Sequence, residues 1–171
     1  MKAIVLGTLA AVGIQPIVFI AGLLPSFLSS GESVTHSGLF GLSIFAAIFA
    51  IPFVLVVGIP SLLLLRNFHR LSWSTISVAG LLGAALPFAV FSWPVGRYGG
   101  YSSAGDWHGH YVTFFVNGVP TLYGWLSYAL STLEFGVHGL IGALAFYLVW
   151  LHVTRTNNRH MDSSEDQANQ H

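Results

Sequence analysis

Apolar residues arrive in long, nearly uninterrupted runs, and polar residues are confined to the gaps between them. The first run extends from Ala3 to about Leu28, the second from Gly38 to Leu65, the third from Trp73 to Trp93 and the last from Leu122 to Val153. A helix needs about 20 apolar residues to cross roughly 30 Å of hydrocarbon, so the pattern predicts membrane-spanning helices. The second run contains no charged residue and is longer than one crossing requires. Tilt or kinking absorbs such an excess. Pro52 and Pro60 supply the kink points, because each removes a backbone donor. The third run is bracketed by Trp73 and Trp93, as an aromatic belt at the two membrane surfaces would be, and holds Pro87 inside it.

The ends of the chain need separate arguments. Lys2 precedes the first run, as in a secretory leader, but the run exceeds the about 7–15 apolar residues of such a leader. Its exit, Leu23 to Leu28, offers no clean small-x-small cleavage site, so a retained helix is expected. The last run is too long for one straight crossing and allows two divisions. Either a single long helix projects outward, or an interfacial segment over 123–130 precedes a span over 133–153. The second is preferred, because Tyr123, Trp125 and Tyr128 are aromatics that favour the headgroup level. Residues 154–171 are polar and lack hydrophobic periodicity, which predicts a disordered tail. The expected fold is an all-α integral membrane protein. One domain over 1–153 forms a four-transmembrane-helix bundle with spans near 3–28, 38–65, 73–93 and 133–153.

The long loop from Pro94 to Thr121 is the exception to this helical pattern. Two segments rich in β-formers, Tyr111 to Val116 and Val119 to Tyr123, flank Asn117-Gly118. That dipeptide suits a type I′ turn, which needs positive φ at both central positions. A short β-hairpin is therefore expected, with a plain turn as the alternative, and Pro120 confines its second strand to an edge.

Composition agrees with the membrane reading. The chain of 171 residues is 54% hydrophobic and 7% charged, against about 25% charged in soluble domains. Such a chain cannot cover a water-facing surface. Its formal net charge is zero, so the basic footprint of a nucleic-acid binder is missing. There is no cysteine, which removes disulfides, thiolate catalysis, Cys-ligated metal and the chemistry of quinone-linked thiol oxidoreductases. Charge also sets the orientation. Lys2, Arg66, Arg70, Arg155 and Arg159 fall on one side of the four-span reading, and Arg97 falls on the other with Glu32 and Asp106. Basic flanks stay in the cytoplasm, so both termini are expected there, in the cytoplasmic (inner) membrane, with the long loop outside.

Small residues four apart recur at Gly7/Ala11, Ala46/Ala50, Gly80/Ala84 and Gly139/Ala143. They permit close helix approach, either as internal packing, the reading favoured here, or as a dimer face. Three groups of residues are candidates for chemistry. Asp106, His108 and His110 alternate, and on an extended segment they share one face. Carboxylate and imidazole ligands suit a divalent metal such as Zn²⁺, although a polar outward loop explains them equally simply. Glu134 and His138 are four apart on the last span. They read as a proton or ion pair, or as a hydrogen bond that anchors the loop, with Glu134 placed at the outer boundary. Gln15, beside Pro16 in the first span, lines a cavity or hydrogen-bonds a neighbouring helix.

Haem fits poorly. His138 and His152 are 14 residues apart, roughly 21 Å along a helix. Their facing candidates His36 and His69 are 33 apart, roughly 50 Å if helical and more than the bilayer allows. The sequence requires no cofactor and holds neither a nucleophile elbow nor a phosphate-binding Gly-Lys loop. The leading expectation is a non-enzymatic accessory, assembly or protective membrane protein. Its partners would be the lipid bilayer and another membrane protein or a second copy, with no nucleic acid. A transporter, or a metal- or proton-handling protein using the loop histidines and Glu134/His138, comes second, and an intramembrane enzyme third.

Overall fold

The computed structural model describes residues 2–30, 35–67, 71–94 and 99–168. Glu32, Arg70 and Arg97, which enter the charge count, lie outside the described residues, as does His69. The described chain is mostly helical, and four stretches are long and apolar enough to cross a membrane: Lys2–Leu24, Gly38–Leu65, Trp73–Phe91 and Leu122–Thr156.

The first stretch is built from α1 (Lys2–Gly13) and α2 (Gln15–Ser30), which part only at Ile14. Pro16 has no N–H, and its ring crowds the carbonyl one turn earlier. Backbone bonds from Ile14 N–H to the Ala10 carbonyl (3.0 Å) and from Val18 N–H to the Ile14 carbonyl (3.1 Å) carry the chain across the break. The second stretch is α3 (His36–Phe53), a π-helical turn (Val54–Gly58) and α4 (Ile59–Asn67). Thr35 caps α3 by accepting the Gly38 N–H at 3.2 Å. The kinking expected of Pro52 and Pro60 takes the form of this wide turn, in which the Ile59 N–H reaches back five residues to the Val54 carbonyl.

The third stretch, α5 (Trp73–Phe91), opens on a reciprocal cap. The Thr75 N–H donates to Ser72 Oγ (3.2 Å), and the Ser72 N–H donates to Thr75 Oγ1 (3.0 Å). This is a capping box with threonine in the acidic position. The helix stops shortly before Pro94, because a residue that precedes proline avoids helical backbone.

The fourth stretch corrects the preferred division of the last run. Residues 123–130 and 133–153 are not separate elements but parts of one helix, α6 (Leu122–Ala168). No proline follows Pro120, and extending an existing helix by a residue costs far less than starting one. The same absence of a stop carries α6 through 154–168, where a disordered tail was expected.

Between α5 and α6 lies an antiparallel sheet of β1 (Ser103–Trp107), β2 (His110–Val116) and β3 (Val119–Pro120), in that order. The hairpin expected at Asn117-Gly118 joins β2 to β3, with φ of 51° and 80° at its two turn residues. A second hairpin, not foreseen, joins β1 to β2 through His108 (φ 53°) and Gly109 (φ 81°).

The chain folds as two compact units, Met1–Gly80 with Leu140–His171, and Leu81–Gly139. In the first, Ala11 of α1, Leu62 of α4, Ile76 of α5 and Phe146 of α6 form a buried cluster bordered by Ile4, Val54, Leu65, Leu71, Tyr147 and Trp150. Ala11 is the tenth of the 12 residues of α1, Leu62 the fourth of the nine residues of α4 and Ile76 the fourth residue of α5. Gly7 admits the Phe146 ring, whose edge would lie 2.7 Å from an added β-carbon. Gly7 and Ala11, two of the small residues singled out above, thus serve internal packing. In the second unit, α5 and α6 meet at Gly136, where an added β-carbon would stand 3.4 Å from Ala85 and 3.5 Å from Leu81. The Phe88 and Phe135 rings stack beside it at 4.2 Å. Large apolar side chains such as Phe40, Phe49, Val56, Leu86 and Leu148 stay exposed. Apolar matter covers the outside of these helices more than it fills an inside.

Candidate functional site

The sheet is fixed to the start of α6 by one threonine. Its register slips between Ser103 and Ala104, whose partners are Phe115 and Thr113, so Phe114 is left out of the β1–β2 ladder as a bulge. The Phe114 carbonyl instead accepts the Thr121 N–H at 2.9 Å and the Thr121 hydroxyl at 3.2 Å. That hydroxyl also reaches the Thr113 carbonyl at 2.6 Å and caps α6 by accepting the Gly124 N–H at 3.3 Å. Gly124 is buried, and a β-carbon there would collide with the Phe114 carbonyl oxygen. The first hairpin packs onto the helix through Trp107, edge-on to Tyr123 with ring centres 5.3 Å apart. The second turn is tied back to the start of the sheet. Gly118 N–H donates to the Tyr101 carbonyl (2.6 Å), and Asn117 N–H donates to Ser102 Oγ (3.0 Å). The result is a small cap with both turns and one edge built onto the first turn of α6.

Below the cap, three aromatic rings clasp the end of α5 to α6. Trp93, Trp125 and Tyr128 meet edge-on, with centres 5.4 to 6.0 Å apart. The Tyr128 hydroxyl donates to the Ala89 carbonyl at 2.8 Å. Carbonyls in the last turn of a helix have no intrahelical donor, and Tyr128 supplies one from the neighbouring helix. Tyr128 was read from the sequence only as a headgroup aromatic. Its role as a helix cap leaves no local sequence signal, since the two residues are 39 positions apart.

The candidate metal residues do not share the geometry that suggested them. Alternation across one face requires an extended segment, and the chain reverses at His108-Gly109. Asp106 ends up opposite Tyr111, and His110 opposite Trp107. Asp106 Oδ1 accepts the Gly109 N–H at 3.1 Å, which closes the turn, and the His108 ring lies 4.8 Å from that of Trp107. Among the described residues no group of three or more His, Asp or Glu side chains is placed to hold a metal ion.

Glu134 and His138 do come together, and at an unexpected depth. The sequence placed Glu134 at the outer boundary because the last span was taken to begin near residue 133. The helix begins instead at Leu122, twelve residues before Glu134, or about 18 Å along its axis. Gly136, midway between the two, lies against Leu81 and Ala85, at the middle of the 19-residue α5. The pair therefore straddles the centre of the α5 span, each member about 3 Å from it along the axis. Glu134 is exposed on the helix surface, while His138 is half-buried and close enough to feel its charge. The first three apolar runs contain no Lys, Arg or His. An ionisable residue within a candidate span is a functional-site candidate by default.

Gln15 sits at the break between α1 and α2, where its Nε2 donates to the Ala11 carbonyl at 3.4 Å. Its amide lies over Gly142, and an added β-carbon there would approach Nε2 to 2.7 Å. The side chain fills a helix contact of the first unit. Comparison with protein-family models, curated proteins and solved structures finds no match for this chain.

Proposed function

We propose that this chain is a non-enzymatic accessory or assembly protein of the cytoplasmic membrane, acting by contact with another membrane protein through its outward cap. The observation that carries this reading is the rigid cap on α6, which presents large apolar side chains outward: Tyr111 is 81% exposed, Leu122 71% and Val119 65%. Exposed apolar groups on an ordered surface mark interaction sites. A surface already fixed by the Thr121 and Trp107 contacts gives up little conformational freedom when a partner docks. The four candidate spans, with Lys2, Arg66 and Arg155 at or beside the ends of the first, second and fourth, support both termini in the cytoplasm and the cap outside.

A photocrosslinking residue at Tyr111 in living cells tests the proposal. A discrete protein adduct is expected there, together with its loss when the Trp107–Tyr123 contact is removed by Trp107→Ala. Crosslinks to lipid alone, matching those from Phe49 on the outside of α3, would reduce the cap to a membrane-surface anchor and end the reading.

A further inference from the structure

We propose that α6 holds a second contact surface, a seam of Leu126, Leu130, Leu133 and Val137 flanked by Glu134, and that its occupant is a transmembrane helix of a different protein with a lysine or arginine at the level of Glu134. This surface is distinct from the cap and stands on observations of its own. The four apolar residues are separated by four, three and four positions, the spacing of a seam along which one helix packs against another. All four are exposed, from 38% to 58%, so the described helices of this chain leave the seam open. Glu134 is four positions past Leu130 and one past Leu133, at the edge of the seam, and it is exposed too. A charged residue in that flanking place pairs with an opposite charge on the facing helix and sets partner choice.

The occupant follows from charge. Leucine and valine alone would suit lipid as well as protein, and the carboxylate decides between the two. Ionisable residues within a span almost always face protein or water and pair with one another. His138 already interacts within its own chain, yet one imidazole leaves most of the roughly four acceptor sites of a carboxylate unused. Glu134 therefore has capacity for an incoming cation. A second copy does not supply it. In the same membrane orientation a second copy sets Glu134 at the level of Glu134, and the first three apolar runs hold no Lys, Arg or His. A basic residue in the span of a different protein is itself costly in lipid, and the pair with Glu134 relieves both charges.

A photocrosslinking residue at Leu130 of the full chain in living cells, with mass spectrometry of the adduct, tests this. The expected adduct is to a transmembrane segment that contains Lys or Arg. The same probe at Leu86, exposed on α5, is expected to give lipid adducts only. Glu134→Asp, which keeps the charge, should preserve the Leu130 adduct. Glu134→Gln, which keeps the shape without the charge, should lower its yield about tenfold, the scale of one interhelical polar contact in lipid. Exchanging the charges, with Glu134→Lys in this chain and Glu in place of the captured basic residue, should restore it. Thermal unfolding of the Glu134→Gln chain in detergent should match the parent, and a destabilised variant would assign the carboxylate to the fold and overturn the seam. Lipid adducts alone at Leu130, a captured segment without Lys or Arg, a captured second copy, or a yield indifferent to Glu134→Gln would each do the same. Lipid alone at Tyr111 with the expected protein at Leu130 would end the cap reading and leave this one standing.

Discussion

Three glycines rank the tightness of the helix contacts, because each meets a different kind of neighbour. At Gly124 an added β-carbon would strike the Phe114 carbonyl oxygen, a backbone atom already held by Thr121. At Gly7 it would come within 2.7 Å of the edge of the buried Phe146 ring and 3.1 Å of that residue's carbonyl oxygen, neither as close as the approach at Gly124. At Gly136 the nearest atoms stand at 3.4 and 3.5 Å, an ordinary contact distance. Overpacking a well-filled site costs about 1–3 kcal/mol. Gly124→Ala is therefore expected at the upper end of that range, Gly7→Ala below it and Gly136→Ala near neutrality. Thermal unfolding of the three variants in one detergent checks the order. Gly136→Ala proving the most damaging would show that α5 and α6 approach more closely than described. The same scale gives Asp106 a structural role. Its carboxylate closes a turn by accepting the Gly109 N–H, work that a sequence pattern of alternating ligands does not reveal.

Among the elements, the cap and α6 divide sharply in how far the sequence announced them. Asn117-Gly118 declared its hairpin because few residue pairs tolerate positive φ at both turn positions. His108-Gly109 adopts the same backbone, yet a reading by alternation ran straight through it. A histidine before glycine signals positive φ more weakly than asparagine does in turns. The aromatics Tyr123, Trp125 and Tyr128 suggest a segment lying at the membrane surface; within a continuous helix, Tyr123 packs on Trp107 of the sheet, and Trp125 and Tyr128 hold Trp93 just past α5. What the sequence lacked was the partner surface, since an aromatic that favours an interface also favours a helix–helix contact. Tyr128 makes this testable. Removing its hydroxyl with Tyr128→Phe leaves the ring packing and deletes the bond to the Ala89 carbonyl, a loss of about 0.5–1.5 kcal/mol. Faster hydrogen exchange is expected in the last turn of α5, with the β-sheet amides unchanged. Equal acceleration in both would place the hydroxyl in general stability instead of capping.

For the whole molecule, the long apolar runs and the scarcity of charge carried most of the architecture, because a chain 7% charged has no means of wetting four such helices. Depth was less legible. A hydropathy run marks where apolar residues are, not where a helix begins, so Glu134, expected beside the start of a span, lies twelve residues inside α6. Orientation rests on charge. Lys2 and Arg155 flank the first and last candidate spans, while the cap joins the third to the fourth and carries Asp106. Basic residues resist transfer during insertion while acidic ones contribute little, so the cap side should be the translocated one. A single cysteine at Tyr111, on the cap, is expected to react with a membrane-impermeant maleimide in intact cells. A cysteine at Thr156, the last residue of the fourth candidate span, should react only after permeabilisation. The reverse pattern would invert the molecule and leave the α5–α6 contacts intact, because those depend on packing alone. Labelling of both sites from outside would break the even count of crossings, and with it the membrane reading of at least one of the four helices.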